Sequence, residues 1–186
     1  IKNNDLKNIR YVFNKNNLNI KKILLKSYCE DTLLIDTKKE EKSFLKIKIY
    51  KDYSSLSLCT DSAPTYLENF NFGTSIIFKD IEKVCSIKNE MIKNIFLKNL
   101  DSNDNEFVEK EFFVNTNYRK IRKDLIREIV KARVEEISDI IFSKNINLEN
   151  FHKRKLKTFI FVEDNLVLKN FKNDFKIFFS NSNSET

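Results

Sequence analysis

Only one glycine, Gly73, occurs among the 186 residues of this chain. Phosphates approach main-chain N–H groups where no Cβ intervenes, so a chain that cradles nucleotide by its backbone needs several glycines. A lone glycine cannot build a Walker loop, a dinucleotide-binding turn or a pair of phosphate hairpins. The residues themselves therefore point away from a nucleotide-driven enzyme and towards a protein that acts by contact with other proteins.

The length fits one compact domain or two small lobes, and a hydrophobic fraction of 41% is enough for a real core. Seventeen Phe and no Trp, with abundant Asn, Lys and Ile, suggest an AT-rich coding bias that also inflates lysine. The net charge of +7 would suit an anionic surface. However, the 34 basic residues are interspersed with 27 acidic ones, and no basic stripe is interleaved with aromatics, so nucleic-acid binding is not the expected role. Cys29, Cys59 and Cys85 lie too far apart in sequence for a metal knuckle and read as reduced thiols of a cytoplasmic protein. The single His152 belongs to a basic surface run. No stretch approaches the roughly 18 apolar residues of a membrane span, and no secretory signal is evident. The chain opens on Ile1 and is read as a piece of a longer one.

Hydrophobic spacing lays out the elements. Leu6, Ile9, Val12 and Phe13 predict a short amphipathic helix capped by Asn4 or Asp5. Residues 18–26 predict a strand, and Thr32 to Ile35 the end of a short helix. Phe44 to Ile49, Leu56 to Thr60, and Thr65 to Phe72 after Pro64 predict an antiparallel meander. Two helices follow, Ile76–Val84 and Asn89–Leu97, broken at Ser86. Glu106–Val114 is predicted as a strand, Asn117–Phe142 as the longest helix, Lys155–Val162 as a buried strand and Asn165–Phe179 as a last amphipathic helix. Strands and helices alternate in the second half, the pattern of an α/β fold with a mixed sheet.

Three strings carry a resemblance to the bacterial cell-division protein FtsA, of the actin-like ATPase superfamily. Gly73 to Ile81, GTSIIFKDI, resembles the family's GG-x-x-I-T-x-D-I, with Thr74 and Phe78 departing from it. Glu90 to Lys93, EMIK, resembles AExxK on the next helix, offset by about two positions. Leu125 to Ile137, LIREIVKARVEEI, resembles the family helix L…II…R…EI. The resemblance implies an α/β, actin-like (ribonuclease H-like) lobe with a mixed sheet and flanking helices. Residues 1–30 would end an inserted domain and lead into the lobe, 31–179 would form the second actin-like lobe, and 180–186 a disordered tail.

What the resemblance implies about function is a cell-division adaptor that tethers FtsZ, associates with itself into filaments and lies in the cytoplasm at the inner face of the membrane. Membrane contact would come only through regions outside this chain. Gly73, Glu90 and Lys93 would be vestiges of nucleotide binding, and Arg133 would meet the acidic tail of the partner. The residues also allow plainer roles: an intrahelical ion pair for Glu90 and Lys93, and a pair with Asp124, Glu128, Glu136 or another carboxylate for Arg133.

Departures from the family pattern set the expectation about ATP and Mg²⁺. The family's second phosphate hairpin reads DxGxxT. Lys48 stands here where its carboxylate would be, and Tyr50 where its glycine would be. A lysine cannot ligate Mg²⁺, and a tyrosine fills the space a phosphate would take. The adenosine motif GGxS is replaced by Glu163-Asp164-Asn165. The expected protein is a degenerate member without catalytic residues or a metal site. The alternatives are an ATPase whose first phosphate loop lies outside this chain and a basic nucleic-acid-binding module.

Overall fold

A computed structural model describes residues 3–37, 42–98, 100, 106–113, 117–148 and 156–181. The chain divides into two units, Ile1–Lys39 and Glu40–Thr186.

The first unit holds α1 (Asn3–Lys15) and α2 (Lys26–Thr37). Helix α1 ends on Asn17, whose φ of 57° places it in the left-handed region. The Leu18 amide donates back to the Phe13 carbonyl at 3.0 Å. This closing bond satisfies a carbonyl that the helix cannot, and Asn does here what glycine does in most helix ends. No residue of α1 is buried. Residues 18–25 form no regular element, so the predicted strand there is not observed. No described strand pairs with it, and an extended segment without a neighbour leaves its backbone groups to water.

The second unit is a four-stranded mixed sheet in the order β3-β2-β1-β4. Its strands are β1 (Phe44–Ile49), β2 (Ser54–Thr60), β3 (Ala63–Phe70) and β4 (Lys157–Val162). The first three form the predicted antiparallel meander, and β4 joins β1 in parallel, with Ile49 beside Val162. The β2–β3 hairpin turns on Asp61 and Ser62, both with positive φ (50° and 66°). Two consecutive left-handed residues fit the twist of a two-residue hairpin, a position usually given to Asn-Gly. Pro64 lies inside β3, one residue earlier than the predicted strand start. It is tolerated because β3 is an edge strand with a register shift opposite Leu58 and Cys59.

The crossover from the meander back to β4 runs through α3 (Ser75–Cys85), α4 (Asn89–Leu97) and α5 (Lys123–Ser138), and α6 (Asn165–Asn181) follows β4. The break between α3 and α4 falls on Ser86, left-handed at φ 53°, as the spacing predicts. Leu45, Ile47 and Ile49 of β1 join Ile77, Ile81, Ile92, Phe96, Ile126, Val130, Val134, Phe171 and Phe175 in one core. Each fully buried side chain of this size contributes about 1.5–3 kcal/mol relative to exposure.

Two predicted elements differ. Of the stretch predicted as a strand, the described residues 106–113 form none: Phe107 makes an isolated bridge to Arg122, and Lys110–Phe112 is a 3₁₀ turn. The helix predicted from Asn117 starts at Lys123, and it continues past Ser138 as a π turn over Asp139–Ser143. Ser180 and Asn181 extend α6, so the predicted tail begins inside the helix. Residues 182–186 and the basic run around His152 lie outside the described residues.

Candidate functional site

In open α/β sheets, ligands bind outside the carboxyl ends of parallel strands. Here that edge is formed where β1 runs into Tyr50 and β4 into Glu163, and the Glu163 amide donates to the Ile49 carbonyl at 2.9 Å. Side chains of the protein itself crowd this edge. Tyr50 is buried and stacks on Tyr53, with ring centroids 4.2 Å apart and planes 18° from parallel. The Lys48 ammonium lies 5.1 Å from the Tyr50 ring centroid, within cation–π reach. Desolvation, then Tyr50 and after it Glu163, raise the Tyr53 hydroxyl above its ordinary pKa, with Lys48 opposing.

Beside this edge, the N-terminus of α6 presents the partial positive charge that anions seek. Asp164 takes that position: its Oδ1 accepts from the Leu166 amide at 3.0 Å and the Val167 amide at 3.1 Å. Of the two carboxylates that stand where the adenosine motif would be, Glu163 and Asp164, the second is no free charge. Asp164 is instead a helix cap, the chain's own anion on its own helix end.

Gly73 has a packing duty. A Cβ at this position would overlap the Tyr50 carbonyl oxygen and come within 2.7 Å of the Lys51 carbonyl carbon. The segment is drawn in by two bonds, Thr74 N–H to Tyr50 O at 2.9 Å and Ser75 N–H to Lys51 O at 2.8 Å. The φ of Gly73 is not positive, so close approach, and not backbone freedom, requires the glycine. Thr74 is buried, and its hydroxyl finds no hydrogen-bond partner among the described residues.

The other predicted site residues are dispersed. Glu90 and Lys93 are exposed on α4, and no ion pair joins them among the described residues. Glu90 lines a cleft of about 380 Å³ whose floor is Ile87, Met91, Phe112 and Phe113 and whose polar rim includes Lys88 and Arg119. Arg133, on α5, lies in a separate groove between α3 and α5. Its guanidinium is held by Asp80 of α3 and by Glu136 one turn along α5. Of the carboxylates weighed from sequence, Glu136 pairs with it. Asp80, 53 residues earlier, is the partner that spacing could not name.

The cleft beside α4 is not legible in the sequence, because its second wall comes from Phe112, Phe113, Asn117 and Arg119, the first two predicted within a strand and the others within a helix. A knot at the end of α4 was also missed. Asn170 of α6 donates to the Phe96 and Leu166 carbonyls and accepts from the Leu100 amide, while Arg127 donates to the Leu100 carbonyl. The three thiols are unpaired by disulfide, and Cys59 and Cys85 are buried. Among the described residues, no group of His, Cys, Asp and Glu could hold a metal ion. No described helix is long and apolar enough to cross a membrane.

No protein-family model matches the chain, and no curated protein sequence matches it. Solved structures do. The ethanolamine utilization protein EutJ from Carboxydothermus hydrogenoformans superposes with a TM-score of 0.53 at 11% identity, over 81% of this chain and 46% of EutJ. MreB 5 of Spiroplasma citri, solved bound to AMPPNP, superposes with a TM-score of 0.51 at 14% identity, over 97% of this chain and 68% of that one. The archaeal actin homolog Ta0583 gives 0.50 at 10% identity, over 83% of this chain and 47% of the homolog. This chain thus spans about half the length of EutJ and of Ta0583. Identities this low establish architecture alone: the mixed sheet with its flanking helices is the actin-like, ribonuclease H-like fold.

Proposed function

We propose that this chain is a lobe of an FtsA-like adaptor that acts by protein–protein contact at the cytoplasmic face of the cell membrane, tethering an FtsZ-like partner and associating with copies of itself. The observation that carries the reading is the self-occupied ligand edge of the sheet. Tyr50 and Tyr53 fill the space outside β1, Lys48 supplies a cation where Mg²⁺ ligation needs a carboxylate, and Asp164 occupies the anion-seeking end of α6. An actin-like lobe built this way keeps its surfaces for partners and gives up the triphosphate seat.

For an acidic partner tail, the cleft beside α4 is the better seat. Arg133 is engaged by two carboxylates, whereas Lys88 and Arg119 rim an apolar floor. The test is fluorescence anisotropy with a labelled peptide from the C-terminal tail of an FtsZ-type protein. Saturable binding that Arg119→Glu weakens, with Arg133→Ala close to wild type, supports the reading; no binding to the wild-type chain overturns it.

The second reading, a nucleotide-binding lobe completed by a phosphate loop outside this chain, draws on Thr74. A buried hydroxyl without a partner, next to Gly73 and the start of α3, is the kind of donor a bound ligand would satisfy.

A further inference from the structure

We infer that α1 and the segment after it lie on the surface of an anionic lipid bilayer. The inference rests on the reading above for the presence of a membrane and deepens it by naming the contact. The FtsA resemblance leaves membrane contact to regions outside this chain, whereas these residues supply one within it. Charge is segregated here. Residues 1–26 hold seven Lys and Arg and one Asp, a net +6, while the other 160 residues hold 27 basic and 26 acidic side chains. The mixing of signs that marks the chain as a whole therefore fails in this stretch. Among the described residues, no ion pair or hydrogen bond engages the side chains of Lys7, Arg10, Lys15, Lys21 or Lys22. An unneutralised cluster of this size is drawn to an anionic surface.

The same helix carries an apolar face that is left uncovered. Leu6, Ile9 and Phe13 recur at steps of three and four, and Val12, three residues after Ile9, widens the same side. No polar residue between Leu6 and Phe13 falls within this side, and Asp5 and Asn16 stand at its two ends. Ile9, Val12 and Phe13 are 42%, 55% and 44% exposed, and no residue of α1 is buried. Lys7, Arg10 and Lys15 occupy the remaining sides of the helix. In the segment that follows, the exposed Leu18, Ile23, Leu24 and Leu25 flank Lys21 and Lys22. A helix of this kind lies in the plane of the interface, with its apolar side chains at the acyl boundary and its Lys and Arg among anionic headgroups. Apolar insertion and a polybasic patch together make the two signals that stable anchoring takes. Nucleic acid would satisfy the charge alone. Of the eight exposed apolar side chains between Ile9 and Leu25, six are aliphatic and offer no ring to stack on a base.

Flotation of the full chain with vesicles tests this, using phosphatidylcholine alone and phosphatidylcholine mixed with phosphatidylglycerol. Binding to the anionic vesicles is expected to be at least about tenfold tighter than to the neutral ones and to weaken as salt rises. Phe13→Glu is expected to lower it by at least about tenfold while the circular dichroism spectrum stays native. A wild-type chain that does not bind anionic vesicles overturns the proposal. So does binding that Phe13→Glu leaves unchanged, which would reduce the contact to charge. Tighter binding to duplex DNA than to anionic vesicles assigns the basic stretch to nucleic acid and also overturns it. A second measurement reads depth and does not depend on that variant. The chain has no Trp, so Phe13→Trp installs a single reporter. Anionic vesicles are expected to shift its emission to the blue, and brominated acyl chains to quench it. An unmoved emission overturns the proposal, as does one already blue without lipid, the mark of a face covered by protein. Binding of the tail peptide is read without lipid, so either idea can fail without the other.

Discussion

The Thr74 amide donates to the Tyr50 carbonyl at 2.9 Å, and this bond ties the start of α3 to the end of β1. It holds the chain so close to the hairpin that only a residue without Cβ fits at position 73. Gly73→Ala forces backbone against backbone, with no flexible side-chain end to give way. The expected cost is about 1–3 kcal/mol, read as a lower urea midpoint with an unchanged slope. A midpoint equal to wild type would show that the hairpin can move aside.

Asn170 fastens α6 to the end of α4 by donating to Phe96 O at 3.0 Å and accepting from Leu100 N at 3.2 Å. Asn170→Ala strands a part-buried carbonyl and amide together. A loss of about 1–3 kcal/mol is expected, with amides near Leu100 losing hydrogen-exchange protection first. Uniform loss across the domain would argue against a local knot.

Tyr66, on β3, titrates late. Burial first, and then its 2.7 Å hydrogen bond to Glu68, push its hydroxyl up to about 12. The neutral form is thus favoured in the folded state. That contribution to stability is fully present below the unfolded tyrosine value of about 10 and is lost as pH rises from there through 12. Tyr66→Phe is therefore expected to flatten the decline in stability across this alkaline window. In an absorbance titration, Glu68→Gln should move one of the six tyrosines back towards its ordinary value. An unmoved titration would mean that burial acts alone.

Arg133, Asp80 and Glu136 form a part-exposed triad, and such pairs are worth little individually. A double-mutant cycle with Arg133→Ala and Asp80→Ala is expected to give a coupling of less than about 1 kcal/mol. A larger value would make the triad a structural clamp between α3 and α5.

Much of the fold could be read from residue pattern. The meander, the helix break at Ser86, β4 and α6 announce themselves because each buries a regular set of apolar positions, and local period suffices to find such elements. Residues 18–26 misled because their apolar spacing demands a neighbour that sequence cannot supply. Glu106–Val114 alternates like a strand, yet among the described residues its backbone pairing is a single bridge of Phe107 with Arg122, closed by the Val108 amide on the Ile121 carbonyl and the Lys123 amide on the Glu106 carbonyl. A cation at position 48 and a bulky ring at position 50 are plain in the sequence; that the Lys48 ammonium comes to 5.1 Å from the Tyr50 ring centroid is not. The cap made by Asp164, the pairing of Arg133 with Asp80 and the cleft behind Glu90 depend on which elements meet, and no local pattern encodes that.

Calorimetric titration of the chain with Mg-ATP bears most directly on the idea that the protein fills its own nucleotide seat. The account predicts no saturable heat for the wild-type chain. Stoichiometric, saturable binding of Mg-ATP to that chain, abolished by a bulky side chain in place of Thr74, would contradict it.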